Sequence, residues 1–182
     1  MAYDRADWHY GGDFPDDVPN ENGATHIGIY LGWVIKRGLV GELHVEESVE
    51  ALEAVRSGRS DGRTFLIEEC DEKFTDEDLS DVGKRFTDSY YDETYNDDYI
   101  DTLDTDDAET AYHYENSPEN QALMEAVLDQ RFEEWRREHA PDVAPLRTQA
   151  APPTPEPAPA PVARPAPKPS RAPKEKPWWR IW

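Results

Sequence analysis

The density of proline near the C-terminus constrains this chain most. Between Pro145 and Pro177, 12 of 33 residues are proline, and each one fixes φ and removes a backbone donor, so no helix or sheet can be built there. A core can therefore form only before about Ala140. The run "APPTPEPAPAPVARPAPKPSRAPKEKP" reads as an extended, semi-rigid spacer of polyproline type. Charge changes at the same boundary. Residues 140–182 hold seven Lys and Arg against three acids, net +4, whereas residues 1–139 hold 12 basic and 37 acidic side chains, net −25. Three parts are expected: an acidic helical domain at 1–139, a disordered Pro/Ala-rich linker at 140–176, and a Trp-rich linear motif at 177–182.

Several classes fall away on composition. There is no glycine period, no sustained heptad and no apolar run near the roughly 18 residues a membrane span needs. A nucleic-acid partner is not expected, because phosphate neutralisation requires clustered Lys and Arg and the body is strongly acidic. Cys70 is the single cysteine, which excludes an intramolecular disulfide and a zinc site based on cysteines. Met1–Asp17 carries five aspartates and lacks the basic start and apolar stretch of a secretion signal, so a cytoplasmic location is expected.

Apolar spacing before Ala140 predicts a mainly α fold of about five helices. Asn20 or Asn22 is placed as the cap of a helix over 24–37, with Ile27, Tyr30, Leu31, Val34 and Ile35 as its stripe and Gly38 as its stop. A second helix is predicted over 46–57 (Val45, Val49, Leu52, Val55) and a third over 62–72. A fourth is expected to start from the Thr75/Asp78 capping box and to carry Leu79, Val82, Phe86 and Tyr90. The fifth starts at Ser117–Pro118 and carries Leu123, Val127, Leu128, Phe132 and Trp135. "DYIDTL" and "TAYHYEN" are paired as a small β-hairpin. The expected core is Ile27, Leu31, Trp33, Leu52, Phe65, Leu79, Phe86, Leu128, Phe132 and Trp135. Trp8, Tyr10 and Phe14 are expected to anchor an irregular aromatic N-terminal segment.

Two features point to protein partners. Residues 68–109 contain 18 acids interleaved with tyrosines, a pattern that steers a basic partner; the face is placed at Asp92, Glu93, Tyr95, Asp97, Asp98, Tyr99 and Asp101. The chain then ends in "PWWRIW". Trp178, Trp179 and Trp182, with Arg180 at the rim, are expected to dock in a protein groove, since tryptophan beyond a spacer buries nothing locally. Settling at a membrane interface is the weaker alternative, because a −25 body is repelled by anionic lipid.

Four stretches, "YDRADWHYGGDFP", "GATHIGIYLGWVIKRGL", "CDEKFTDEDL" and "RFEEWR", together resemble an uncharacterised bacterial family classed as a domain of unknown function, over residues 3–138 and without the tail. The resemblance implies no established activity or catalytic residue. Small acidic proteins of this kind are sometimes suspected of neutralising toxins.

The opening segment is rich in side chains that do chemistry: Asp4, Asp7, His9, Asp13 and, further on, His26. Asp7, His9, Asp13 and His26 are the ligand set if a metal binds, and Trp8, His9, Asp13 and His26 are the residues of a candidate cleft. No HExxH, P-loop or GxSxG pattern accompanies them. An EF-hand register from Asp76 fails, with Asp81 where glycine is needed and Thr87 in place of glutamate. Cys70 lies among acids that raise a thiol pKa and reads as inert. The expected function is thus a cofactor-free, non-enzymatic acidic binding protein, of immunity or antitoxin type. A metal-dependent hydrolase using the N-terminal segment is the alternative.

Overall fold

The computed structural model describes residues 1–10, 14–104 and 108–146. The linker and the Trp178, Trp179, Arg180 and Trp182 motif lie outside the described residues, as does Asp13.

The fold is mainly helical and is organised around α2 (Thr25–Arg37). Ten of its residues, Thr25 and Ile27–Ile35, are buried, as expected for a helix apolar on all sides. It emerges directly from a 3-10 turn at Asn20–Ala24, so neither Asn20 nor Asn22 caps it. It ends as predicted at Gly38, whose φ of 71° suits a residue without Cβ. Glycines also set its closest contact. A Cβ on Gly28 would lie 2.4 Å from Arg63 Cα, and one on Gly62 would lie 2.1 Å from the Gly28 carbonyl oxygen. Here α2 and α5 (Gly62–Glu69) meet backbone to backbone. The Asp61 side chain caps α5 by accepting from Thr64 N–H.

The helix predicted over 46–57 is two helices, α3 (Glu42–Glu47) and α4 (Val49–Arg56), broken at Ser48. His44 turns inward and is buried, while Val45 and Val49 are 52% and 54% exposed; only Leu52 and Val55 of the expected stripe are buried. The Thr75/Asp78 capping box is real, but it starts a 3-10 turn at Asp76–Asp78. The helix that follows, α6 (Asp81–Tyr90), is capped by Ser80.

A π-helical turn over Tyr91–Tyr95 joins α6 to α7 (Asn96–Leu103). The widened turn lets Tyr90 and Tyr91 both face inward with Tyr95 and Tyr99, and all four are buried. Tyr30 is their hub, with ring centroids 4.8 Å from Tyr91 and 5.0 Å from Tyr95. The expected hairpin is absent from the described residues: "DYIDTL" lies in α7, and Ala111–His113 is a 3-10 turn. The strands are elsewhere. β1 (Ala2–Arg5) pairs antiparallel with β2 (Lys73–Thr75), with Asp4 opposite Phe74.

The last helix, α8 (Pro118–His139), starts where predicted, with Ser117 accepting from Asn120 N–H and Pro118 in its first turn. Met124, Leu128 and Phe132 face the core; Leu123 is exposed and Trp135 partly buried. Trp33 Nε1 donates to Asp129 Oδ1 at 2.8 Å, and Arg37 holds both oxygens of the same carboxylate at 2.7 and 2.8 Å. Every other residue of the expected core is buried. No helix among the described residues is long and apolar enough to cross a membrane.

Candidate functional site

Three short segments converge on Asp4. Strand β1 presents its carboxylate, and β1 leads straight into α1 (Ala6–His9), seated by the buried Ala6 and its N–H to the Glu72 carbonyl at 3.0 Å. His9 closes α1, and His26 lies in the first turn of α2. His9 Nε2 donates to Asp4 Oδ1 at 2.9 Å and His26 Nε2 to Oδ2 at 3.0 Å. An ionised carboxylate only accepts, so both imidazoles carry the proton on Nε2 in this arrangement. Arg5 N–H completes Oδ1 at 2.7 Å, and the Tyr91 hydroxyl completes Oδ2 at 3.1 Å.

Outer partners hold the two histidines. The Tyr112 hydroxyl lies 3.1 Å from His9 Nδ1, and Tyr112 is itself fixed by Asn22 Nδ2 donating to its carbonyl at 2.7 Å. Tyr95 OH donates to the His26 carbonyl at 2.6 Å. The imidazole rings meet edge to face with centroids 4.6 Å apart. Burial opposes ionisation of Asp4, but the hydrogen bonds from His26 and His9 outweigh it and hold the carboxyl well below the usual carboxylate range. Burial, and then the Asp4 charge, push the Tyr91 hydroxyl well above the ordinary phenol value, which keeps it a donor.

The ligand atoms of Asp4, His9 and His26 lie within 4.8 Å of one another. Two imidazoles and one carboxylate form the donor set of many catalytic transition-metal centres. The two imidazoles reach different oxygens of the carboxylate, His9 Nε2 at Oδ1 and His26 Nε2 at Oδ2.

Among the described residues this arrangement differs from the expected ligand set, of which Asp13 lies outside them. His9 and His26 come together, but Asp4 takes the place given to Asp7. Asp7 and His9 would share a face only in a strand, and they lie on a helix. Asp7 turns out to solvent and is held by Arg5 Nε at 2.8 Å and Nη2 at 2.5 Å. Trp8 is 59% exposed, with the Arg5 guanidinium 5.9 Å from its ring centre. Tyr91 and Tyr112 were not foreseen. They are 87 and 103 residues away from their partners, and no local spacing marks them.

The proposed acidic face divides. Asp92, Glu93, Asp97 and Asp101 are exposed. Tyr95 and Tyr99 are buried core residues instead. Asp98 is engaged by Arg131 at 2.7 and 2.8 Å and by Tyr90 OH at 2.7 Å. The aromatic interleaving is therefore core packing.

Cys70 has a raised thiol pKa, as its sequence neighbours implied, but burial is the first cause and Asp78 the next. Its sulfur lies 3.7 Å from His44 Nε2, the same nitrogen that bonds Asp78. A nucleophilic relay needs the two imidazole nitrogens to separate thiol from carboxylate, and this geometry does not provide it.

No curated protein and no solved structure matches the chain. A family model matches residues 2–114, a span that includes every member of the Asp4 cluster and ends before α8 and "RFEEWR". On that match the chain belongs to the family described as Domain of unknown function (DUF7832).

Proposed function

We propose that this protein is a metal-dependent hydrolase in which Asp4, His9 and His26 hold one divalent transition-metal ion. The observation that carries this reading is the convergence of two Nε2 atoms on one carboxylate, at 2.9 and 3.0 Å, from three separate segments, β1, α1 and α2. Bound to three protein ligands, such an ion keeps a position for water and brings that water's pKa to about 7, the condition for hydrolysis at neutral pH. The chain's own residues supply the rest. Tyr112 accepts from His9 Nδ1–H once Nε2 is a ligand, and Tyr91 orients the carboxylate, as outer partners commonly do. The test is hydrolysis of chromogenic esters and phosphoesters by the full chain loaded in turn with Zn2+, Mn2+ or Fe2+. Turnover that disappears in Asp4→Asn and His26→Ala supports the reading. Equal turnover in those variants overturns it.

A second reading, an acidic binding protein of inhibitor type, is favoured by one surface. Leu43, Val45 and Val49 are exposed, and the first two share a hollow with Glu42, Glu77 and Asp81. An apolar patch rimmed by acids suits a basic amphipathic partner, with Asp92, Glu93, Asp97 and Asp101 adding long-range steering. Association recovered at low salt should then weaken steeply with added salt and on Val49→Asp. Binding indifferent to both contradicts it.

A further inference from the structure

A second cluster stands apart from the Asp4 site and has its own chemistry. His44 on α3, Cys70 just after α5 and Asp78 at the end of the turn before α6 each bring one ligand atom within 4.8 Å of the other two. His44 and Asp78 are buried, at 3% and 5% exposure. We propose that His44 Nε2, Cys70 Sγ and Asp78 Oδ1 form a second metal site, selective for a thiolate-seeking ion such as Zn2+, that fixes the strand pair presenting Asp4.

The geometry supports this in four respects. Sγ and Nε2 are 3.7 Å apart, close to the roughly 3.5 Å edge expected of a tetrahedral ion with Zn–S about 2.3 Å and Zn–N about 2.0 Å, while Nε2 and Asp78 Oδ1, 2.7 Å apart as a hydrogen bond, open by about 0.6 Å to admit it. The outer partners are in place: Ser48 Oγ lies 3.4 Å from His44 Nδ1, ready to accept its proton once Nε2 becomes a ligand. Thr75 N–H at 2.6 Å and its hydroxyl at 3.1 Å occupy Asp78 Oδ2, which leaves Oδ1 toward His44. Charge also balances. A thiolate, a carboxylate and a neutral imidazole around a dication give a neutral group, the kind a buried position accepts at least cost. Binding releases to solvent the thiol proton and, by tautomer exchange on His44, no second one.

The backbone beside Cys70 is unusual in the same sense. Asp71 and Glu72 both adopt left-handed conformations, with φ of 51° and 59°, which non-glycine residues adopt only when the surroundings enforce them. They reverse the chain so that the Cys70 sulfur faces His44 while the next residues enter β2. Since β2 lies between Cys70 and Asp78 and pairs with β1 through Asp4 and Phe74, an ion joining the two ends of this segment holds the strand that sets the Asp4 carboxylate. A single cysteine thus excludes a site built on several cysteines, and one of mixed donors remains open to it.

The test uses Co2+ on the full-length protein. A thiolate ligand gives a sulfur-to-cobalt charge-transfer absorption that a nitrogen and oxygen site cannot give. The band is expected in the native chain and in the His9→Ala/His26→Ala double variant, and lost in Cys70→Ser, whose circular dichroism reports that it is folded. Zinc at about a hundredfold excess over its dissociation constant should raise Tm by about 5–10 °C in the first two proteins and not through this site in Cys70→Ser. No thiolate band at saturating Co2+, or a band unchanged in Cys70→Ser, overturns the proposal. Metal-dependent turnover absent from the native chain, or unchanged in the double-histidine variant, with the band retained would count against the Asp4 reading alone.

Discussion

Asp4 on β1 and His26 on α2 are joined by a 3.0 Å hydrogen bond between residues 22 apart in sequence. That bond ties the N-terminal segment, whose Tyr3 and Ala6 are themselves buried, to the most buried helix of the fold. The residues that anchor the segment are therefore the residues that form the site, and changes there affect folding and chemistry together. Useful tests separate the two.

Tyr91 offers one such separation. Its hydroxyl orients Asp4 Oδ2, while its ring packs on Tyr30 and Tyr95. Tyr91→Phe keeps the ring and removes the donor. The expected result is a 10- to 100-fold loss in metal affinity by calorimetric titration, at a stability cost of about 1 kcal/mol. Unchanged affinity would mean that Asp4 needs no outer support.

The contact between α2 and α5 gives a prediction about the fold alone. Alanine exceeds glycine in helix propensity by about 1 kcal/mol, so on propensity Gly28→Ala should stabilise α2. The Arg63 backbone 2.4 Å from the added Cβ reverses the sign. Overpacking against backbone that cannot step aside should destabilise by about 2–3 kcal/mol in urea unfolding. A gain in stability would show that the helices are free to separate.

Acidic residues that look alike in sequence should differ in stability. Asp98→Ala removes the partner of Arg131 and Tyr90 between α7 and α8 and should cost about 1–2 kcal/mol, whereas Asp97→Ala and Asp101→Ala, on exposed positions, should stay within about 0.5 kcal/mol. Equal effects at all three would mean the Arg131 pair contributes nothing.

The same carboxylate predicts a pH dependence. The Arg131 hydrogen bond is the main cause holding Asp98 below its ordinary value, with burial opposing and Tyr90 adding. The folded pKa is the lower one. Its stabilisation is therefore complete above the unfolded value of about 3.9 and fades as pH falls through the folded value. Stability measured from about pH 5 down to pH 2 should fall less steeply in Asp98→Asn than in the native protein.

How far the sequence foretold this depended on how local each determinant was. The helix ending at Gly38 and the one starting at Ser117–Pro118 are specified by adjacent residues and were legible. The break at Ser48 was not, because burial of His44 against Asp78, 34 residues on, overrides the apolar spacing of Val45 and Val49. The strands escaped notice because their pairing joins the two ends of a 70-residue stretch, and a three-residue strand carries almost no period. Tyr95 and Tyr99 were misplaced for a related reason. Acids dominate the composition around them, and only the π-helical turn shows which side faces inward. His9 and His26 were recognisable by residue type, but Asp4 could replace Asp7 only once β1 and α1 were known.

Elemental analysis of the full-length protein tests the Asp4 centre most directly. Purified without chelator and compared at equal concentration with its His9→Ala/His26→Ala and Asp7→Ala variants, the native chain and Asp7→Ala should carry the same stoichiometric transition metal. The double-histidine variant should carry about one equivalent less while Cys70-dependent cobalt binding persists. Identical metal content in all three proteins, or loss of metal in Asp7→Ala alone, would contradict the assignment of Asp4, His9 and His26 as the ligands.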